Sequence, residues 1–238
     1  MVRENTEGLY AGRERVEDDG ATAIAERVVT RRASARIMRV ACDLARARRS
    51  ARGGSDAPPG KVTVVHKANV LRETCGLFRS VALEAAQAYP DLQIDEMLVD
   101  TCALQLATRP ERFDVIVTTN LFGDILSDLC AQLVGGMGFA YSGNIGDNYA
   151  VFEPTHGSAP KYAGLNKVNP IAAILAAAMM AGWTGEKEVE AAIHKAVEEV
   201  VRRGEPRTYD MGGSSTTMQM AEAIAAEAAR IRSAGLSG

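Results

Sequence analysis

Lys61-Val-Thr-Val-Val-His66 is a run of β-branched residues almost without polar interruption. It follows the clearest loop in the chain, Ser50-Ala-Arg-Gly-Gly-Ser-Asp-Ala-Pro-Pro-Gly60, and precedes a helical pattern over Val70–Tyr89. A continuous apolar run, unlike an alternating one, belongs to a strand covered on both faces, which is the habit of parallel sheets. Working downstream, Ile94–Val99 and Phe113–Thr118 read as two more strands, with helices over Cys102–Ala107 and Leu121–Leu133. Strand and helix in alternation predict an α/β fold. Upstream, Ile37, Val40, Ala41 and Leu44 set one face of a helix over Ala33–Arg49. Residues 10–31, with Gly12, Gly20 and the β-prone Arg27-Val-Val-Thr30, read as a strand excursion or hairpin.

Beyond the strands the pattern changes. A glycine-dense stretch from Gly135 to Gly146 reads as a seam between two domains, residues 1–135 and 136–238. Pro170–Gly182 is an Ala-rich helix expected to be buried on most sides, and Glu186–Arg203 is amphipathic. Ser214-Ser-Thr-Thr217 supplies cap chemistry for a last helix to about Arg232, leaving Ser233–Gly238 as a frayed tail.

Composition removes several function classes. A formal net charge of −3 lacks the cationic excess of a nucleic-acid or polybasic membrane partner. The longest apolar run, around Ile171–Ala181, is too short to cross a bilayer. Val2-Arg-Glu-Asn5 follows Met1 with no signal-peptide pattern, so a cytoplasmic protein is expected. Cys42, Cys75, Cys102 and Cys130 form no metal spacing and read as reduced thiols on helices or near strand ends.

Asp124-Ile-Leu-Ser-Asp128 places two carboxylates on one helix face at i and i+4. Like charges so placed repel, which a solvated face tolerates and a divalent cation relieves; both readings stand. Asp100, at the end of the strand Met97-Leu-Val99, is a third candidate oxygen donor, where α/β proteins handle ligands. Lys67 and Asn69 follow Lys61–His66 in the same way. Lys67 is either a surface lysine or a carboxylate-binding or proton-accepting group. His66 reads as a packed core histidine. Gly135-Gly-Met-Gly138, Gly143-Asn-Ile-Gly146 and His156-Gly-Ser-Ala-Pro160 read as three Gly-centred loops, none of them a dinucleotide fingerprint or a P-loop.

In combination, the motifs are far more specific. Arg3-Glu-Asn-Thr-Glu-Gly-Leu-Tyr10, His66-Lys-Ala-Asn-Val70, Thr119-Asn-Leu-Phe-Gly-Asp-Ile-Leu-Ser-Asp128, Gly143–Gly146 and His156–Pro160 occur in an order and spacing that resemble the β-decarboxylating dehydrogenases, the isocitrate/isopropylmalate/homoisocitrate family. The likeness covers essentially the whole chain, with the homoisocitrate branch nearest. It implies a two-domain α/β subunit, distinct from the Rossmann fold, and a homodimer with shared active sites. Residues 1–135 would form the small domain for dimerisation, metal and substrate, and 136–238 the C-terminal part of a large cofactor-binding domain. Arg3 would clamp a substrate carboxylate, with Asn69 between substrate and nicotinamide. Asp124 and Asp128 would hold Mg²⁺ or Mn²⁺ together with the partner's Asp100. Lys67 would take the hydroxyl proton of a 2-hydroxy acid, and Tyr10 would return one to the decarboxylated carbon.

The resemblance also assigns the cofactor loop. His156, Gly157, Ser158 and Ala159 would cradle adenosine, with Asn169 beside the adenine. NAD-dependent relatives carry an acidic residue after the HGSAP motif; Lys161-Tyr162 stands here, as in bacterial NADP-dependent isocitrate dehydrogenases. Tyr209 matches a phosphate-contacting tyrosine of those enzymes, although Gly213 replaces the arginine that follows it. NADP is therefore expected over NAD. Family members also begin well before the Arg3–Tyr10 motif, so the chain reads as N-terminally truncated and poorly active alone. A non-catalytic partner subunit, as in mitochondrial relatives, or an inactive remnant is the alternative.

Overall fold

The computed structural model describes residues 1–235. They form two compact units, Met1–Cys130 and a second beginning at Ala131.

The first unit is built on a four-stranded, all-parallel sheet. Its strands are β1 (Val2–Arg3), β4 (Lys61–His66), β5 (Gln93–Leu98) and β6 (Val115–Thr118), in the order β1-β6-β4-β5. The apolar run over Lys61–His66 has the predicted consequence. Val62 and Val64 pack with Val115 and Val117 against Met38, Ala41 and Cys42 of α1 (Arg31–Ala51) and Phe78 and Ala82 of α2 (Thr74–Ala86). Val65 and Ile116, on the opposite face, meet Cys102 and Leu106 of α3 (Val99–Thr108) and Leu126 of α4 (Asn120–Leu133). Successive strand residues point to opposite faces, and both faces are covered by helices. Cys42, Cys75, Cys102 and Cys130 are free thiols, one on each of the four helices.

Three boundaries differ from the sequence reading. The helix expected from Val70 begins at Thr74, because the Lys67 carbonyl accepts the N–H groups of both Val70 and Leu71 and closes a separate turn. Helix α3 starts at Val99, so Asp100 lies in its first turn and not on the strand. The hairpin is β2 (Glu14–Glu17) with β3 (Thr22–Ala25). Arg27–Thr30 stays outside it: Val28 exchanges backbone hydrogen bonds with Gly8, and the Thr30 hydroxyl caps α1 at the Ala33 N–H.

The second unit holds an antiparallel pair, β7 (Tyr141–Ile145) and β8 (Ala150–Pro154), and three helices, α5 (Ile171–Trp183), α6 (Lys187–Arg203) and α7 (Thr217–Gly235). Ile171, Leu175, Val197, Val200, Met220 and Ile224 form its core. Gly143–Gly146, expected to be a loop, is mostly strand. A Cβ at Gly143 would stand 3.1 Å from Met179 Cε and 3.2 Å from Phe152, so the glycine lets the ladder lie against α5. At the start of α7, Thr216 and Gln219 cap each other: the Thr216 hydroxyl accepts the Gln219 N–H, and the Gln219 side chain accepts the Thr216 N–H. Helix α7 takes in Ser233–Gly235 of the expected tail, and residues 236–238 lie outside the described residues. Among the described residues no helix is long and apolar enough to cross a membrane.

Asp114, just before β6, ties the sheet to α1. Burial disfavours its charge, yet hydrogen bonds from Arg52 (2.8 Å), Arg48 (2.7 Å) and the Lys61 N–H outweigh that and hold its carboxyl at about 2. A depressed carboxylate contributes stability that is present above its unfolded pKa and is lost as pH falls through the folded one. The drop from 3.8 is worth about 2 kcal/mol. Asp114→Asn should therefore lower urea-unfolding stability by about that amount near pH 7, the difference shrinking from about pH 4 downward. A pH-independent difference would show that this ion pairing is not its source.

Candidate functional site

Parallel pairing sends the carboxyl ends of β1, β4, β5 and β6 to one edge of the sheet, the edge at which open α/β sheets bind ligands. Arg3 ends β1. Lys67 and Asn69 follow β4, Asp100 follows β5, and Asn120 through Asp128 follow β6. Strand β5 lies to one side of β4 while β6 and β1 lie to the other, so the connections diverge at the β4–β6 boundary.

Arg3 is the centre of the first group. Its Nη1 donates to Asp124 at 2.7 Å, and its Nε and Nη2 donate to Asn120 Oδ1 at 3.0 and 2.7 Å. The guanidinium lies 5.2 Å from the ring centroid of Tyr10, which is 55% exposed. Asp124 and the exposed Asp128 stand one turn apart on α4. The second group is Lys67 and Asp100, joined at 2.7 Å. The Lys67 hydrogen bond is the main reason that the Asp100 carboxyl sits below its ordinary range. Asn69 is exposed in the turn after β4.

His66 is buried, as expected, and burial lowers its pKa. Its Nδ1 accepts the Ala68 N–H at 3.2 Å, and Nε2 lies 3.7 Å from Glu96. The turn carrying Lys67 has a further anchor. Cys75 Sγ accepts both the Lys67 N–H and Arg27 Nη1, while Arg27 Nη2 donates to Thr119 at 2.6 Å.

Carboxylate oxygens are hard donors, so Asp124, Asp128 and Asp100 suit Mg²⁺ or Mn²⁺ in kind. Among the described residues, no three His, Cys, Asp or Glu side chains converge within the chain. The structure thus brings Asp124 and Asp128 to one helix face and leaves Asp100 apart, held by Lys67.

The second unit presents a different chemistry. The His156–Pro160 loop is largely exposed; His156 Nδ1 lies 2.8 Å from the Gly157 carbonyl, and Ala159 is left-handed at φ 42°. Lys161 Nζ stands 5.0 Å from the Tyr162 ring centroid, and the rings of Tyr162 and Tyr209 are 5.8 Å apart. Lys167 joins them, 4.9 Å from the Tyr209 ring and 5.9 Å from that of Tyr162. Asn169 is buried with its amide engaged at both ends, donating to Asp210 and accepting the Ile171 N–H. Asn120 and Lys167 were not singled out by the sequence reading. Asn120 sat inside a quoted motif, where its partnership with Arg3, 117 residues away, leaves no local trace. Lys167 is brought to the tyrosines by the fold alone.

The chain as a whole is similar to known proteins. A family model described as isocitrate/isopropylmalate dehydrogenase matches residues 1–224. The chain is 53% identical over 224 residues to an isocitrate/homoisocitrate dehydrogenase of Thermus thermophilus, covering 94% of this chain and 64% of that protein. It is 48% identical to a 3-isopropylmalate/3-methylmalate dehydrogenase of Methanocaldococcus jannaschii, covering 94% and 66%. The crystal structure of isocitrate dehydrogenase from Methylococcus capsulatus superimposes with a TM-score of 0.86 at 48% identity, over 95% of this chain and 66% of that one. The chain therefore spans about two-thirds of the length of the relatives it matches. With its parallel sheet and the clustered residues at the sheet's carboxyl edge, the chain belongs to the isocitrate/isopropylmalate dehydrogenase family.

Proposed function

We propose that the protein carries the substrate, metal and part of the cofactor site of a dehydrogenase that oxidatively decarboxylates a 2-hydroxy acid such as isocitrate, homoisocitrate or 3-isopropylmalate. The observation that carries this reading is the convergence of Arg3, Tyr10 and Asp124 at the carboxyl edge of the sheet, with Asp128 one turn further. Asp124 and Asp128, with Asp100, would hold Mg²⁺ or Mn²⁺. When bound, such an ion acidifies a coordinated hydroxyl and draws off negative charge during decarboxylation, while a nicotinamide accepts the hydride.

The chain's own groups do the rest. Arg3 meets a carboxylate with planar N–H donors. Freed from Asp100 as the neutral amine, Lys67 Nζ takes the proton of the substrate hydroxyl, and Tyr10, exposed beside Arg3, gives one to the carbon that loses carbon dioxide. Asn69 lines the space between substrate and nicotinamide. Lys67 and Asp100 serve the partner subunit's Arg3-centred group in a homodimer. Among the described residues Asp100 forms no three-carboxylate group with Asp124 and Asp128 of its own chain, which fits that division. Exposed Leu104 on α3 and Ile125 on α4 give two copies apolar surface to bury. Residues 1–135 thus act as the dimerisation, metal and substrate domain, and 136–238 as cofactor-binding. The unpaired thiols fit a cytoplasmic setting.

For the cofactor we favour NADP over NAD. Lys161 and Tyr162 occupy the place where a carboxylate would favour a free ribose hydroxyl, and Tyr209 lies against Tyr162. His156–Ala159 would cradle the adenosine, with Asn169 beside the adenine.

Calorimetry with Mg²⁺ and Mn²⁺ tests the metal assignment. Asp124→Asn should weaken binding by on the order of tenfold or more, with the circular dichroism melt confirming the fold. Equal affinity in parent and variant rules the aspartate pair out as ligands. For the cofactor, NADP⁺ should bind about ten- to a hundredfold tighter than NAD⁺, the worth of a charge-assisted hydrogen bond. Lys161→Asp should reverse that order; a parent that prefers NAD⁺, or an unchanged ratio in the variant, refutes the role of Lys161.

A further inference from the structure

We propose that Asn120 is the positioning residue for Arg3 and restricts a bound carboxylate to the terminal nitrogens of its guanidinium. The inference rests on Arg3 as the carboxylate-binding group, and it deepens that reading.

Asn120 opens α4 directly after β6, and its side chain is fully buried, 1% exposed. Both ends of its amide are committed. Oδ1 accepts Arg3 Nε at 3.0 Å and Nη2 at 2.7 Å, while Nδ2 donates 2.8 Å to the Glu7 carbonyl. The reverse orientation would set the NH₂ group against the guanidinium and one carbonyl against another, so the environment permits a single amide orientation. Gly123, less than a turn further along α4, closes on the aliphatic stem: a Cβ there would lie 2.5 Å from Arg3 Cγ and 2.8 Å from its Cβ. The arginine is held along one guanidinium edge and along its stem at once.

The donor inventory has two consequences. A guanidinium has five N–H groups. Nε and one Nη2 hydrogen go to Asn120, and one Nη1 hydrogen goes to Asp124. One N–H on each terminal nitrogen is left for a ligand, and none on Nε. The holding group is also an uncharged amide. A carboxylate at position 120 would fix the same edge while neutralising the charge that an incoming anion needs. An amide sets the direction and adds no second negative charge beside the one that Asp124 already brings.

The test is arginine-selective ¹⁵N/¹³Cζ NMR of the full chain, with backbone spectra checking the fold and malonate as the dicarboxylate probe. In the parent, the Arg3 Nε–H should be protected from exchange with water, and malonate should shift the Nη signals and leave Nε nearly unmoved. Asn120→Ser, too short to reach, should abolish the protection. Asn120→Asp should keep it and weaken the malonate response at least tenfold. Gly123→Ala, which leaves every hydrogen-bonding group in place, should displace the Arg3 Nε resonance. If Arg3 exchange and shifts are the same in the parent, Asn120→Ser and Gly123→Ala, the positioning role is overturned. A malonate shift as large at Nε as at Nη overturns the restriction to the terminal nitrogens. If the variants move Arg3 as expected but malonate never does in the parent, the positioning of Arg3 is upheld, and it is Arg3 as carboxylate clamp that fails.

Discussion

The all-parallel pairing of β1, β6, β4 and β5 is the constraint on which the site depends. Val65 of β4 lies level with Thr118 of β6, and His66 lies level with Leu98 of β5. The first polar residues past each strand therefore emerge at one height along one edge. Strand β1 has only two residues, yet it reaches the same edge because Arg3 is in register with Thr118 and the Glu4 N–H bonds the Thr118 carbonyl at 3.1 Å. The buried Glu4 carboxylate holds the segment just past β1. It accepts the N–H groups of Thr6 and Glu7, the Thr6 hydroxyl and Arg36, so its charge is fully partnered. That knot folds the segment between Arg3 and Tyr10 back on itself and brings the phenol over the guanidinium.

Charge is arranged differently at the site and beneath it. Asp114 is nearly enclosed by two arginines and one strand N–H, and its pairing secures α1 against the sheet. Arg3–Asp124 and Lys67–Asp100 are open to water, with side-chain exposures between 24% and 63%. Exposed pairs of this kind contribute only about 0–1 kcal/mol each. Pairs this weak do not lock their members, so exchange of one partner for the metal ion or substrate carboxylate of the proposed function would cost little. The enclosed pairing thus lies where α1 meets the sheet, and the exposed pairings lie at the sheet's carboxyl edge.

Much of this was legible from local pattern. The β-branched run over Lys61–His66 announced a doubly covered strand, and the i, i+4 aspartates announced a shared helix face. What stayed hidden was long-range. The turn from Lys67 to Leu71 looks helical in sequence because its apolar residues continue the helix period; the Lys67 carbonyl, shared by two N–H groups, ends it early. Gly143 looked like a turn because glycine usually is one; here it admits Met179 against a strand. Asn120 and Lys167 carry no periodicity at all, since their meaning lies in partners brought up by the chain's topology. Binding chemistry of that kind reads from sequence only through resemblance.

The lysine–tyrosine group of the second unit raises a question that the fold also answers. Asp210 follows Tyr209 directly, and a free carboxylate there would repel a phosphate drawn to Lys161 and Lys167. Its two oxygens are instead engaged from inside the unit: Oδ1 accepts the Thr208 hydroxyl at 2.5 Å, and Oδ2 accepts the Asn169 amide at 3.0 Å. Gly138 makes room for this, since a Cβ there would meet Asp210 Oδ2 at 2.5 Å. Thr208 and Asn169 are both buried, so the exposed Asp210 is tied down by donors from the interior, while Lys167 stands at the faces of both rings. One aspartate thus braces the segment that carries Tyr209, each of its oxygens held by a hydrogen-bond donor, while Lys161 and Lys167 stand at the tyrosine rings. The same bracing takes one N–H and one lone pair of the Asn169 amide.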